Sequence, residues 1–240
     1  MKCLIIAAGQ GTRLRGVGDS KPLVELLGKP LIVRVIETVQ KAGVNDFYVV
    51  TGYKSEKIEA ALSQYAGERG VSVTFIYNEE WEKQNGLSVL RGRDVITGPF
   101  FLLMSDHMFD PAILVKLQEF GQTNRKHAVV LAVDTRITDN PMVDLEDVTR
   151  VETKNGDIIS IGKTLEKYNA FDTGVFYCTA AIFAALAKSV ALGDSSLSGG
   201  IRLLAAEGKA GVMDIGDRFW IDVDNEEMLE KARELLEKIN

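Results

Sequence analysis

The sequence predicts an α/β protein in which a parallel sheet is covered by helices on both faces and interrupted by one β-hairpin. Three observations carry this. Continuous apolar runs such as "KCLIIAA", "DFYVVTG" and "PFFLLMSD" lack polar alternation, the pattern of strands buried on both faces. Between them lie segments with the apolar spacing of a helix. After residue 135, two short strand-like runs bracket Asn155-Gly156, the composition of a type I′ hairpin turn.

In chain order, "KCLIIAA" is the first strand. "PLIVRVIETVQKAG" follows as a helix, with Leu31, Ile32, Val35, Ile36 and Val39 on one face, Pro30 at its start and Gly43 past its end. "DFYVVTG" is a strand, "SEKIEAALSQYAG" a helix capped by Ser55, and "VSVTFIYN" the third strand. "PFFLLMSD" is the fourth, before the helix "PAILVKLQEFG" and the strand "HAVVLAV". This βαβα succession reads as the parallel sheet. The hairpin "VTRVETKNGDIISIGK" then reads as a lid-like insertion over about 140–163. "TGVFYCT" is a buried strand, "AAIFAALAKS" and "GGIRLLAAEG" are helical, and "RFWIDVDNEEMLEKARELLEKIN" is a strand plus an amphipathic helix. No linker, repeat or low-complexity tract divides the chain, so residues 1–240 are expected to form one domain.

Composition excludes several classes of function. At 46% hydrophobic and 26% charged, the chain can bury a sizeable core. A net charge of −6 with no Lys/Arg cluster argues against a nucleic-acid partner. No apolar run approaches the roughly 20 residues that span a bilayer, and Met1-Lys2 leads straight into a strand rather than a signal peptide, so a cytoplasmic location is expected. Cys3 and Cys178 both lie in apolar runs and read as core residues.

The chemistry begins at "LIIAAGQGTRLRGVGDSKPL", residues 4–23. A glycine-rich loop leaving the first strand of an open α/β sheet lies where such sheets bind ligands, and its amides suit phosphate oxygens. A dinucleotide fingerprint would need glycine at Leu14, and a P-loop would need Gly-Lys-Ser/Thr, so neither fits. Arg13 offers a bidentate fork and Lys21 a mobile point charge, although glycine pairs alone fit a surface turn with incidental cations as well. Asp106 and Asp222 each follow an apolar strand and could offer hard oxygens to Mg²⁺, whereas strand-end aspartates also serve as turn residues. Asp110 reads as a helix cap, and Asp224 as a cap with Glu227 as its partner. His107 and His127 belong to no ligand cluster and read as structural.

"AAGQGTRL" followed by "KPL" is similar to the signature of the nucleotidyltransferases that make sugar- and polyol-diphosphonucleotides. "QNGLSVL", "LLMSDHMF", "GK" ahead of "KYNAFDTGVFYC", and "WIDVDN" resemble the members that use CTP and inositol 1-phosphate. The resemblance covers nearly the whole chain. It implies a Rossmann-like mixed, mostly parallel sheet of the nucleotide-diphospho-sugar transferase type, with the ligand across the carboxyl ends of the strands. It implies Mg²⁺ on Asp106 and Asp222, Arg13 and Lys21 on the triphosphate, and Lys163 on the acceptor phosphate. The nucleotide is expected on Ala8, Gly9, Gly11, Thr12, Asn85, Gly86 and Ser88, with Gly86 letting backbone approach the base. The acceptor is expected on Asn169, Asp172 and Gly174. The activity implied is cytidylyl transfer from CTP to inositol 1-phosphate, giving CDP-inositol for a separate membrane transferase. A choline-phosphate or sugar-1-phosphate transferase stays open, with Trp81, Tyr168 and Trp220 as a possible ammonium cage. So does a non-catalytic nucleotide-binding relative, although Arg13, Lys21, Asp106 and Asp222 are all retained.

Overall fold

In a computed structural model, residues 1–14, 16–138 and 140–239 are described. β1 (Lys2–Ile6) is the hub of the first half. Beyond it, the two-residue strands β2 (Glu25–Leu26) and β3 (Lys29–Pro30) lead into α1 (Leu31–Lys41), whose first residue follows Pro30 and whose end is followed by Gly43 at φ 83°. β4 (Asp46–Thr51), α2 (Ser55–Arg69) and β5 (Ser72–Tyr77) follow. Ser55 does not cap α2: the cap position is Lys54 in the left-handed region at φ 51°, with no side-chain bond to the helix, because the turn there is closed by backbone. The short α3 (Gly86–Leu90), β6 (Phe100–Met104), β7 (His107–Phe109) and α4 (Ala112–Thr123) complete the first half, and Asp110 accepts from the Ala112 N–H at 2.8 Å to hold the α4 start.

The second half contains β8 (Val129–Asp134), β9 (Arg150–Lys154), β10 (Asp157–Gly162), β11 (Ala170–Cys178), α5 (Ala181–Ala191), α6 (Leu197–Ala206), β12 (Ala210–Asp214), β13 (Trp220–Asp222) and α7 (Glu226–Ile239). The main sheet runs β5-β4-β1-β6-β11-β8-β12-β10-β9. β5, β4, β1 and β6 are parallel neighbours, and β8 pairs with β12 in parallel. β11 lies antiparallel between β6 and β8, so the sheet is mixed and β8 sits one strand farther from β6 than a plain βαβα count predicts. β12 had no counterpart in the sequence reading, because "AGVMD" is short and carries glycine at its second position.

Alternation along β1 explains how both faces are filled. Cys3 and Ile5 point to a core shared with α1, α2, α4 and α7, while Leu4 and Ile6 point to a core shared with α3, α5 and α6. Each fully buried Leu, Ile or Phe contributes about 1.5–3 kcal/mol, so a two-sided sheet is the economical use of such strands. Both cysteines are buried in these cores. Asn155 and Gly156 have φ of 52° and 83°, the double positive φ of a type I′ turn. The hairpin is the sheet's edge rather than a separate flap, because β10 pairs with β12 and β9 pairs with β11.

Two departures from regularity position the site. The β11–β8 register shifts between Asp172 and Phe176, and Gly174 at φ 72° lies in that bulge, directly after Asp172, which is still paired with Val133. β7 and β13 form a separate ribbon in which His107 lies opposite Asp222. α7 then starts with Asn225 as its cap, accepting from the Met228 N–H at 2.9 Å. The cap assigned above to Asp224 and Glu227 is therefore corrected: Asn225 takes the cap, which frees Asp224 to face Lys21. Asn225→Ala should cost about 1 kcal/mol of stability, measured by chemical denaturation.

Candidate active site

Lys21 lies at the centre of the site, with only 8% of its side chain exposed. It sits in a short turn (Lys21–Leu23) opened by Pro22, and Gly11 at φ 60° makes room for it: a Cβ on Gly11 would lie 2.3 Å from Lys21 Cβ. The ammonium touches Asp106 and Asp224 and lies 3.8 Å from Asp222 Oδ1. Burial alone would favour the neutral amine, but the three carboxylates outweigh it and hold the lysine charged above its ordinary range. A buried cation without those partners would be strongly destabilising.

From Lys21 the charges alternate across the cleft. Asp224 Oδ2 is 2.7 Å from Arg13 Nη2, the same nitrogen donates to Asp147 Oδ2 at 2.8 Å, and Asp147 Oδ1 accepts from Lys163 Nζ at 2.6 Å. Arg13 and Lys21, assigned from one segment, and Lys163, assigned from a distant one, thus converge on one line. Asp147 and Asp224 were not anticipated. The "DVD" spacing of Asp222 and Asp224 carried a signal, since i and i+2 of an extended segment share a face. Asp147 carried none, because its loop is irregular.

His107 also belongs to the site wall, which corrects the purely structural reading. Its Nδ1 is 2.7 Å from the Thr173 carbonyl oxygen, and its Nε2 is 3.3 Å from Asp222 Oδ2 and 3.8 Å from Asp106 Oδ1. Burial favours the neutral ring, but Asp222 and then Asp106 overcome it and push the imidazole up to about 10. Gly174 is required beside it, because a Cβ there would lie 2.3 Å from the ring. His127, by contrast, ties β10 to the start of β8 through Asp157 at 2.7 Å.

The cleft has two lobes. One, of about 220 Å³, is lined by Ala8, Gly9, Gly11, Lys21, Trp81, Lys83 and Ser88, and the other, of about 260 Å³, by Arg13, Lys163, Asp144, Asp147, Asp172, Gly174 and Trp220. Asn85, Met104 and Asp106 line both. The carboxylate oxygens of Asp106 and Asp222 suit a hard divalent cation, and Asp222 Oδ1 is buried without a hydrogen-bond partner, as an oxygen kept for a metal would be. A carboxylate oxygen of Asp106 and one of Asp222 lie within 4.8 Å of each other, so the two residues fit such an ion.

Several expected contacts are placed otherwise. Gly86 is not in the cleft wall: a Cβ there would lie 2.6 Å from the Ser195 carbonyl oxygen, so glycine allows α3 to approach the chain before α6 rather than a base. Asn169 is spent on β9, where its side chain bonds the Thr153 backbone at 2.8 and 3.0 Å. Thr12 is exposed in a short turn (Thr12–Leu14) outside the lining of either lobe. Asn85 accepts from the Leu197 N–H at 2.9 Å, and Ser88 accepts from buried Asn78 at 3.1 Å, so both lobe residues also brace the wall. Trp81, Tyr168 and Trp220 form no cage: they face, respectively, one lobe, the Arg150 guanidinium and the other lobe.

A mixed α/β sheet whose glycine loop, strand-end aspartates and cations converge on a two-lobed cleft defines an enzyme that handles nucleoside triphosphates. The chain belongs to the MobA-like NTP transferase domain family, whose model matches residues 3–210. Members of this family generally use a divalent metal. The chain is 34% identical over 238 residues to the bifunctional IPC transferase and DIPP synthase of Aquifex aeolicus, covering 98% of this chain and 51% of that protein. It is 31% identical to the UTP–glucose-1-phosphate uridylyltransferase AglF of Haloferax volcanii, covering 87% and 85%. Among solved structures, the inositol-1-phosphate CTP transferase from T. maritima superposes with a TM-score of 0.87 at 26% identity, covering 99% of this chain and 95% of that one. The chain spans about half the length of the bifunctional relatives. Among the described residues, no helix is long and apolar enough to cross a membrane.

Asp172 provides a test of the site's electrostatics. Burial raises its carboxyl to about 6, against the opposing hydrogen bond from the Gly174 N–H at 2.7 Å. A carboxyl that holds its proton more tightly when folded than when unfolded, near 3.8, costs stability as pH rises between those values. Asp172→Asn should therefore stabilise the protein by on the order of 1–3 kcal/mol at pH 8 and leave it unchanged at pH 3. Denaturation at the two pH values reads this, and equal effects at both would refute it.

Proposed function

We propose that the chain transfers the cytidylyl group of CTP to inositol 1-phosphate, releasing pyrophosphate and CDP-inositol. The observation that carries the reading is the pair of lobes meeting at Asp106: one is floored by the glycine loop and Lys21, the other is edged by Arg13 and Lys163. The choice of substrates is supported by the relatives named for IPC transferase activity and by the likeness to an inositol-1-phosphate CTP transferase.

The acceptor is a phosphate monoester with a second pKa near 6, so at neutral pH it is already a dianion and needs no general base. One of its oxygens forms a bond to the α-phosphorus of CTP as the bond from that phosphorus to the bridging oxygen of the β-phosphate breaks, and the electron pair leaves with pyrophosphate. The chain's task is to align three anionic groups and offset their repulsion. Loop amides at Gly9 and Gly11, Arg13 and Lys21 hold the triphosphate, while Ala8, Asn85 and Ser88 line the nucleoside side. Lys163 holds the acceptor phosphate, and Asp172 accepts from polyol hydroxyls beside Gly174. Asp106 and Asp222 would hold Mg²⁺, which when bound offsets charge on the reacting phosphates. We place the reaction in the cytoplasm, with a membrane transferase as the consumer of CDP-inositol.

Pyrophosphate release with Mg²⁺, crossing CTP, UTP, dTTP, ATP and GTP against inositol 1-phosphate, phosphocholine and glucose 1-phosphate, tests the substrates. Turnover should be confined to CTP with inositol 1-phosphate; UTP with glucose 1-phosphate as the productive pair would replace both substrate assignments. Lys163→Ala should raise KM for the acceptor at least about tenfold while moving KM for the nucleotide little. A change confined to the nucleotide would transfer Lys163 to the triphosphate.

A further inference from the structure

Asp147, like Asp224, is a link in the ion-pair line that the proposed reaction does not use. Its two oxygens are divided between two cations, Oδ2 on Arg13 at 2.8 Å and Oδ1 on Lys163 at 2.6 Å. On the reading above, those cations serve different substrates. A phosphate oxygen approaching either one meets a carboxylate already in its place, and two anions cannot share that position.

The competing carboxylates on Arg13 are not equally held. Asp224 is gripped from its other side by buried Lys21 and its side chain is 14% exposed, whereas that of Asp147 is 24% exposed and its second partner, Lys163, is 57% exposed. Asp147 is therefore the carboxylate that yields. Its backbone need not travel far, because the turn is anchored at Asp144, whose carbonyl accepts from the Asp147 and Val148 N–H groups at 3.2 and 2.9 Å and whose side chain accepts from Asn225 at 3.1 Å.

We propose that Asp147 is a positioning residue that couples the two substrates, bridging Arg13 and Lys163 at the edge of one lobe until the nucleotide takes Arg13 and the acceptor phosphate then takes Lys163. The inference rests on the substrate assignment above. The order follows from the shared carboxylate. While Asp147 is clamped at both oxygens its carboxylate is fixed in front of Lys163 and the acceptor binds weakly; once the triphosphate has claimed Arg13, the side chain is tethered at one end only, can turn aside with or from the exposed Lys163, and blocks the acceptor less. By linkage, the acceptor helps the nucleotide by the same factor. The device keeps the two cations oriented toward the cleft and discourages occupation by a lone phosphate monoester.

The test is a binding cycle without turnover. Calorimetry with Mg²⁺ would give the Kd of inositol 1-phosphate with and without saturating α,β-methylene-CTP, in the wild type, Asp147→Asn and Asp147→Glu. In the wild type the analogue should tighten acceptor binding about tenfold. In Asp147→Asn the acceptor should bind tighter than to the wild type when nucleotide is absent, and the analogue should add less than about twofold. Asp147→Glu, which keeps the charge, should retain most of the coupling, which excludes a merely structural loss. Wild-type coupling preserved in Asp147→Asn, or absent from the wild type although both ligands bind, would overturn the role of Asp147 alone. Failure of inositol 1-phosphate to bind the wild type at all would overturn the substrate assignment and this inference with it.

Discussion

A lysine ammonium buried among three aspartates is the constraint around which the cleft is built. Removing Lys21 from water is tolerable only if carboxylates meet it there, and those carboxylates come from chain segments more than 80 residues away. Asp106 arrives at the end of β6 and Asp222 at the end of β13, and the β7–β13 ribbon, pairing His107 with Asp222, sets them side by side. The glycine loop after β1 must in turn lie flat against the lysine stem, which is why Gly11 is held at positive φ with no room for a Cβ. Loop, strand end and ribbon are thus fixed by a single buried charge.

The same charge decides what the cleft can accept. Asp106, Asp147, Asp222 and Asp224 would repel a triphosphate if they stood alone. Arranged alternately with Lys21, Arg13 and Lys163, they form a line in which every cation faces a replaceable or shareable carboxylate. Phosphates and a divalent cation bring charges of both signs to such a line and can exchange partners along it without leaving a buried ion bare. Asp222 Oδ1, buried and without a hydrogen bond, marks the point where an added cation would satisfy an existing deficit.

What could be read from the sequence divides by the range of the interaction. The glycine loop with Arg13 and Lys21, the strand-end Asp106 and Asp222, and the alternation of buried strands with amphipathic helices are local patterns, and the structure contains each of them. The antiparallel insertion of β11 between β6 and β8 depends on pairing partners that no local period encodes. Asp147 was invisible for the same reason, since its bond to Arg13 spans 134 positions. Asn169, Gly86 and Asp224 have contacts that the sequence did not foretell, because a side chain's nearest demand wins: an open β9 backbone, the crowding before α6 and a buried ammonium each claimed the residue.

The lobe edged by Arg13 and Lys163 owes its shape to a second buried charge. Asp134, fully buried at the end of β8, accepts from the Arg136 guanidinium at 2.9 Å, from Asn140 at 3.0 Å and from the Trp220 indole at 2.8 Å. These bonds satisfy a carboxylate that burial would otherwise penalise, and they keep it ionised below the ordinary range against that burial. They also determine where the following loop can go. Asn140 begins the segment that carries Asp144 and Asp147, and Trp220 begins the strand that carries Asp222, so one carboxylate holds both edges of the lobe. The rigid satisfaction of Asp134 contrasts with the divided loyalty of Asp147 thirteen residues later. A site that must exchange ion pairs with its substrates can do so at Asp147 because Asp134 and Lys21 already fix its frame.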